Sequence, residues 1–139
     1  MNPFENLDRR LAEQISLDLW ADFAIVQAAE TVQNFSVEDW AACEANWKSR
    51  PDFWQERLGD VLALAEPNRA IPLLIDMVSA ASDEVALAAA DSLRVIAQDG
   101  TPVTITPRVA DRLRHLADAR PGIIRVTLNL LLKQAVVQA

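Results

Sequence analysis

The sequence predicts an all-α fold. Apolar residues recur at helical spacing along nearly the whole chain, and the alternating pattern and hairpin dipeptides of strands are missing. The chain has 139 residues, of which 51% are hydrophobic and 24% charged, and this balance suits one compact domain with its own core. Only seven Pro and three Gly occur, without a biased run of Ser, Gln or Lys, which excludes a disordered or collagen-like chain.

The first helical segment is predicted from residue 4 to residue 32, and a break near Ser16 is left open. Its apolar residues form two stripes, of which the second is shifted relative to the first. These stripes are Phe4, Leu7, Leu11 and Ile15, followed by Leu19, Phe23 and Val26.

Capping residues and prolines delimit the next helices. Ser36 and Asp39 resemble a capping box, and Ser82 is placed to cap a later helix. Residues 101–106 are expected to form an extended loop before Pro107, which suits a first helical turn. The predicted helices span about residues 37–49, 51–65, 67–80, 83–98, 107–119 and 123–137.

An internal repeat relates three of these helices, which superpose without gaps as residues 51–65, 83–97 and 121–135. In that register Val61, Leu93 and Leu131 coincide at the centre of an apolar arc, so all three are predicted to be buried. Each of the three helices is preceded by another one. The sequence therefore predicts stacked helical hairpins over residues 36–139 and an N-terminal helical cap over residues 1–35.

The best-defined repeat carries a family resemblance. The segments Ala70-Ile-Pro-Leu-Leu-Ile-Asp-Met-Val, Ser82-Asp-Glu-Val85 and Ala88-Ala-Ala-Asp-Ser-Leu93 together resemble a HEAT repeat. The fit is closest over residues 68–98 and looser over 107–137 and 37–65. The resemblance implies a single domain built as a short right-handed α-solenoid of about three stacked hairpins. It also implies that the second helix of each pair lines a concave binding surface.

The second helices share one predicted non-core face, where Gly59, Asp91 and Asn129 lie at the same angle. This face grades from acidic to basic along the stack, and it also carries Gln55, Leu87, Arg94 and Gln98. The candidate partner-binding residues on it are Asp52, Glu56, Asp60, Asp91, Arg125, Asn129 and Lys133.

Charge is unevenly distributed along the chain. The net charge is -7, and residues 1–100 hold 18 acids and 7 bases, whereas residues 101–139 hold 2 acids and 6 bases. This balance disfavours nucleic acid as a partner, because such affinity comes from cations that neutralise phosphates. It favours a protein partner with a basic surface.

The sequence contains few residues or motifs that are typical of catalytic sites. Cys43 is the lone cysteine and His115 the lone histidine, and no phosphate-cradling glycine motif occurs, so no metal site and no cofactor are expected. A reactive pair of Cys43 and His115 is conceivable, but a packed thiol and a solvated histidine are favoured. Asp52 and Glu56 could serve acid–base chemistry or bind a cation, although solvated charge is favoured there as well.

The four tryptophans have a structural or a binding interpretation. Trp40 and Trp47 are assigned to the core, the core is favoured over an interface for Trp54, and Trp20 is left undecided. The lone cysteine suits a reducing compartment, and the chain begins without a basic segment followed by an apolar one. A cytoplasmic protein without a membrane segment is therefore expected.

Two functions remain after an enzyme is set aside. Small acidic HEAT-like chains of bacteria resemble immunity proteins that neutralise a cognate toxin, and toxins that act on nucleic acids are often basic. The alternative is a scaffold or regulatory adaptor that self-associates through the apolar helix 123–137. HEAT-like enzymes that excise damaged bases are strongly basic, and the charge of this chain departs from theirs.

Overall fold

The structure is a computed structural model that describes residues 1–80 and 82–138, without the side chain of Ala80. Of the described residues, 77% are helix and 3% strand, which confirms the all-α class. The N-terminal elements are α1 (Pro3–Ala12), α2 (Leu17–Leu19), a π-helical turn (Trp20–Ala24), α3 (Ile25–Gln33), α4 (Val37–Asn46) and a 3₁₀ turn (Trp47–Ser49). The remaining elements are α5 (Asp52–Leu62), α6 (Pro67–Ala80), α7 (Asp83–Gln98), β1 (Thr104–Ile105), α8 (Pro107–Ala119), α9 (Ile123–Gln134) and β2 (Val136–Val137).

The N-terminal helix is broken where the sequence left the question open. The first helix ends at Ala12, and the Ser16 hydroxyl then accepts a hydrogen bond from the main-chain N–H of Leu19 at 3.1 Å. Helical backbone continues from there to Gln33 through the π-helical turn. Ser16 is therefore an N-cap residue at the start of a second helical segment.

The second apolar stripe does not face the core, contrary to the helical pattern of the sequence. Leu19, Phe23 and Val26 are 45%, 65% and 53% exposed. The buried residues of this segment are Trp20, Ala28, Ala29 and Val32. Helical spacing groups residues on one side of a helix, but it does not show whether another element covers that side.

Polar contacts attach α1 to the helices beside it. The capping box of Ser36 and Asp39 is present, and the Asp39 carboxylate also accepts a hydrogen bond from the Phe4 N–H at 3.2 Å. The Arg50 guanidinium binds both carboxylate oxygens of Asp8 at 2.9 Å, and the Trp54 indole N–H donates to Asp8 Oδ1 at 3.0 Å. These contacts hold α4 and α5 against α1.

The second helices of the predicted pairs form a row. The contacts run from α3 to α5, from α5 to α7 and from α7 to α9, while α6 packs on α7 and α8 packs on α9. Val61, Leu93 and Leu131 are fully buried in this row, as predicted. The first predicted pair is arranged differently, because α4 packs chiefly on α1.

A short parallel strand pair corrects two predicted boundaries. The Val136 N–H donates to the Val103 carbonyl at 2.8 Å, and the Gln138 N–H donates to the Ile105 carbonyl at 2.9 Å. The last helix therefore ends at Gln134 instead of Val137, and part of the predicted loop 101–106 is paired. The two adjacent β-branched valines favour extended backbone at this position.

Candidate functional site

The surface of interest is built where α5 and α7 approach each other at Gly59. A Cβ atom at this glycine would lie 3.2 Å from Ala88 Cβ and 3.3 Å from the Ala89 main-chain nitrogen. The Ser92 hydroxyl donates to the Gly59 carbonyl at 2.6 Å. Small residues on both helices therefore allow a closer approach than larger side chains would permit.

This contact corrects two predictions about the non-core face. Gly59 is buried against α7 instead of lying on the exposed face, because α7 covers that side of α5. Gln55 is 7% exposed, and its side-chain amide donates to the Arg50 carbonyl at 2.8 Å. The predicted face is therefore narrower on α5 than helical spacing alone indicates.

Acidic side chains from both helices come together beside this contact. Asp52, Glu56 and Asp60 follow one side of α5 at positions i, i+4 and i+8, and Asp52 is exposed while the other two are half-buried. Burial raises the pKa of Glu56, and the negative charges of Glu84 and Asp52 raise it further. We use the term acidic strip for Asp52, Glu56, Asp60, Glu84 and Asp91.

Asp60 is the most strongly perturbed carboxyl of the acidic strip. Burial raises its pKa to about 6, against the opposing effect of a hydrogen bond that the Trp20 indole N–H donates to Oδ2 at 3.4 Å. Repulsion from Glu56 and Asp91 adds to the increase. The fold thus holds this carboxylate at an electrostatic cost when it is ionised.

The ion pairs of the acidic strip lie on its α7 side. Arg120 binds Glu84 at 2.9 Å, and Arg94 binds Asp91 at 2.8 Å. Within residues 1–80 and 82–138, no salt bridge joins a cation to the three carboxylates of α5. The charge that remains for a partner is therefore concentrated on α5.

The residues at the basic end of the predicted face have different environments. The Arg125 guanidinium donates to the carbonyls of Ala117 and Asp118 at 2.9 Å and 3.1 Å, so it caps the end of α8. Asn129 and Lys133 are exposed on α9. A groove of about 140 Å³ lies between α7, which carries acidic residues of the predicted face, and α9, which carries its basic end. The groove is lined by Leu87, Asp91, Ile123, Ile124, Thr127 and Leu128.

A second cavity, of about 260 Å³, opens beside the α5 carboxylates. Its wall contains Arg57, whose guanidinium lies 5.3 Å from the Trp20 ring centroid and 5.2 Å from that of Phe53. The same guanidinium donates to the main-chain carbonyls of Leu11, Glu13 and Ile15, which fixes it to the end of α1. Arg57 is therefore a structural cation, and the cavity offers aromatic rings and the carboxylates of Glu56 and Asp60.

The two residues considered as a reactive pair, Cys43 and His115, differ in exposure to solvent. Cys43 is fully buried, and burial raises the pKa of its thiol to about 12. His115 is exposed on α8, so the packed thiol and the solvated histidine are both confirmed. The described residues contain no group of three or more His, Cys, Asp or Glu that could hold a metal ion.

Tryptophans and cavity size do not point to another site. Trp40, Trp47 and Trp54 are buried as predicted, and the undecided Trp20 is 3% exposed. A cavity of about 610 Å³ lies away from the acidic strip, between the end of α3 and the start of α6. In it Phe35 packs edge-on against Trp40, with ring centroids 5.1 Å apart. It is an open cleft of mixed character without a reactive constellation.

Sequence reasoning did not include Glu84 among the candidate partner-binding residues. The repeat register aligns Glu84 with Asp52 at an offset of 32 residues. This equivalence could have identified Glu84 as a member of the candidate surface. The structure adds that Glu84 lies close enough to Glu56 to raise its pKa. The two equivalent positions thus contribute to one surface.

Fold and site together define an all-α protein that presents acidic side chains from two adjacent helices. No family model, no curated protein and no solved structure matches this chain. Among the described residues, no helix has the length and apolar character needed to cross a bilayer.

Proposed function

We propose that this chain is a non-catalytic protein-binding module, and specifically a small acidic immunity protein that binds and neutralises a toxin domain with a basic surface. The observation that carries the proposal is the acidic strip, in which α5 contributes three carboxylates without an ion pair among the described residues. Its place in a reducing cytoplasm is part of the proposal, because the lone Cys43 is a buried free thiol.

The architecture we propose is a short right-handed α-solenoid of the HEAT type with an N-terminal helical cap. The row α5, α7 and α9, with α6 and α8 packed behind it, supports this description. Stacked helices present side chains on a rigid surface, which lowers the entropy lost on binding. Such a surface suits tight recognition of another folded domain.

Electrostatics explains why a basic partner would be recognised at this surface. Burial and neighbouring charges raise the pKa of Glu56 and Asp60, so both carboxylates are costly to ionise in the isolated chain. A lysine or arginine of a partner, placed beside them, would stabilise the ionised forms. Binding would then release protons, from Asp60 near pH 6, and affinity would rise as the pH increases through that range.

Co-purification tests the proposal directly. The chain is co-expressed with the product of the reading frame that precedes its own, and a tight heterodimer is expected if that product ends in a small toxic domain. The double variant Asp52→Lys and Glu56→Lys should lose this complex. A matched control carries Glu44→Lys and Asp76→Lys, which change the net charge equally at exposed positions on α4 and α6. Equal complex formation by both double variants would contradict the assignment of the acidic strip.

A second candidate function is a scaffold or adaptor that self-associates. It is favoured by α9, where Ile123, Val126 and Leu130 are 81%, 57% and 40% exposed. This helix contains three consecutive leucines. Leu131 is buried and Leu132 half-buried, so only Leu130 contributes to the exposed face. Self-association of a chain that forms no complex with a basic toxin domain distinguishes this candidate from the first.

A further inference from the structure

We propose that copies of this chain associate head to tail, with an exposed face of the α2–α3 segment of one copy seated on the exposed face of α9 of the next. The proposal does not depend on the acidic strip. It goes beyond self-association by fixing which two faces meet and in what order.

The first surface, which we call the head face, lies on the helical segment 17–33. Leu19, Phe23 and Val26 follow one side of it at positions i, i+4 and i+7, and each is about half-exposed or more. Asp22 and Glu30 lie beside them and are exposed. The head face is thus apolar with an acidic margin.

The second surface, which we call the tail face, is the exposed apolar side of α9. Ile123, Val126 and Leu130 follow it at positions i, i+3 and i+7, opposite the buried Leu128 and Leu131. Asn129 and Lys133 are exposed on the same side. The tail face is thus apolar with a basic margin.

The two faces lie on the first and last helical segments of one row of helices, and α1 packs on the first of them as well. Contacts between neighbouring helices run through α3, α5, α7 and α9 in that order. Inside the row, each helix is covered by the next one. A head face placed on a tail face would continue the row from one copy to the next and would cover both apolar surfaces.

Charge selects this pairing over the two symmetric ones. Asp22 and Glu30 are exposed beside the head face, and Lys133 is exposed beside the tail face, whereas Arg120 is paired with Glu84 and Arg125 caps α8. Two head faces would therefore repel each other, and so would two tail faces. Only the pairing of a head with a tail combines apolar contact with charge attraction. Because that interface is heterologous, it leaves one free head and one free tail and allows assembly beyond a dimer.

Sedimentation of the full chain tests the proposal. The weight-average mass should rise with protein concentration, pass that of a dimer, and fall as salt screens the charges. Phe23→Asp in the head face and Val126→Asp in the tail face should each weaken association about tenfold or more, because a charge would enter an apolar contact. Val37→Asp, at an exposed site on α4, should assemble like the unmodified chain.

Mixing the two face variants gives the decisive measurement. Phe23→Asp keeps an intact tail and Val126→Asp an intact head, so an equimolar mixture should form a 1:1 complex and nothing larger. Val26→Asp and Ile123→Asp provide a second pair if circular dichroism shows that a first variant is unfolded. A monomeric unmodified chain at every concentration, or a mixture that stays monomeric, would overturn the proposal. Loss of association through only one of the two faces would overturn it as well.

Discussion

The hydroxyl group of Ser92 donates a 2.6 Å hydrogen bond to the main-chain carbonyl of Gly59, and this contact joins α7 to α5. The hydrogen bond is buried, so both polar groups are satisfied away from water. The same approach brings Glu84 near Glu56 and Asp91 near Asp60. A structural contact between two small residues thus determines the charge density of the candidate binding surface.

We predict that Gly59→Ala destabilises the chain although alanine is the better helix former. The new Cβ would meet Ala88 Cβ at 3.2 Å and the Ala89 main-chain nitrogen at 3.3 Å, so the helices must separate. A net loss of about 1–3 kcal/mol in the free energy of unfolding is expected, despite a gain in helix propensity of about 1 kcal/mol.

Urea denaturation measures this loss, and a double-mutant cycle identifies its cause. Ala88→Gly removes the methyl group that the new Cβ would meet. The double variant should therefore lose less stability than the two single variants added together. Strict additivity would show that the close contact at Gly59 does not limit the approach of the helices.

Local signals in the sequence predicted most of the helices correctly. Ser36, Ser82 and Thr106 each cap the helix that follows, because capping depends on residues only three positions apart. The spacing of Leu19, Phe23 and Val26 placed them on one side of a helix but did not show that this side is exposed, because exposure depends on which elements pack against it.

The candidate site was predictable in part. The i, i+4, i+8 spacing on α5 identified its three carboxylates, because this spacing is local to one helix. The burial of Gly59, the contribution of Glu84 and the ties of Arg125 to α8 depend on how separate helices pack. Periodicity within one helix contains no information about these contacts.

We predict that Leu93→Ala costs about 2–5 kcal/mol in the free energy of unfolding, because it empties a fully buried site in the row of second helices. Leu64, which is 47% exposed, provides a matched control. Leu64→Ala should cost about 0.5 kcal/mol or less. Similar losses for the two variants, measured by chemical denaturation, would contradict the central position of Leu93 in the core.

Asp60 should make stability depend on pH. Its pKa rises from 3.8 to about 6 in the folded chain, so the folded state holds the proton more tightly than the unfolded state does. Its favourable contribution is fully present below about pH 3.9 and is lost as the pH rises through about 6.

Asp60→Asn removes this titration and should therefore stabilise the chain at pH 8. The expected gain is on the order of 1–2 kcal/mol, after allowance for partial solvent screening, and it should shrink toward zero near pH 4. Thermal unfolding at several pH values measures the difference. Asp76→Asn, at an exposed position on α6, is the control. A gain that is the same at every pH would contradict the raised pKa of Asp60.

Removal of metal ions should leave the fold intact. The described residues contain no group of three or more metal-binding side chains, and a structural zinc normally requires four ligands rich in Cys and His. The melting temperature should therefore be the same with and without EDTA. A large decrease would instead implicate Asp52, Glu56 and Asp60 as carboxylate ligands.

The acidic strip should accelerate encounter with a basic toxin domain more than it slows dissociation. Raising the salt from 0.1 M to 1 M shortens the Debye length from about 10 Å to about 3 Å, so the association rate should fall while the dissociation rate changes less. Surface plasmon resonance measures both rates on the complex.

The variant with Asp52→Lys and Glu56→Lys reverses charge at the exposed end of the acidic strip, and its association rate should drop about tenfold or more. Its fold should persist, because Asp52 is exposed and Glu56 is only half-buried. The control with Glu44→Lys and Asp76→Lys has the same net charge and should associate much faster. If the two variants associate equally fast, only the net charge of the chain matters. If the first binds at the unmodified rate, the partner approaches elsewhere, and Asn129 and Lys133 become the residues to test.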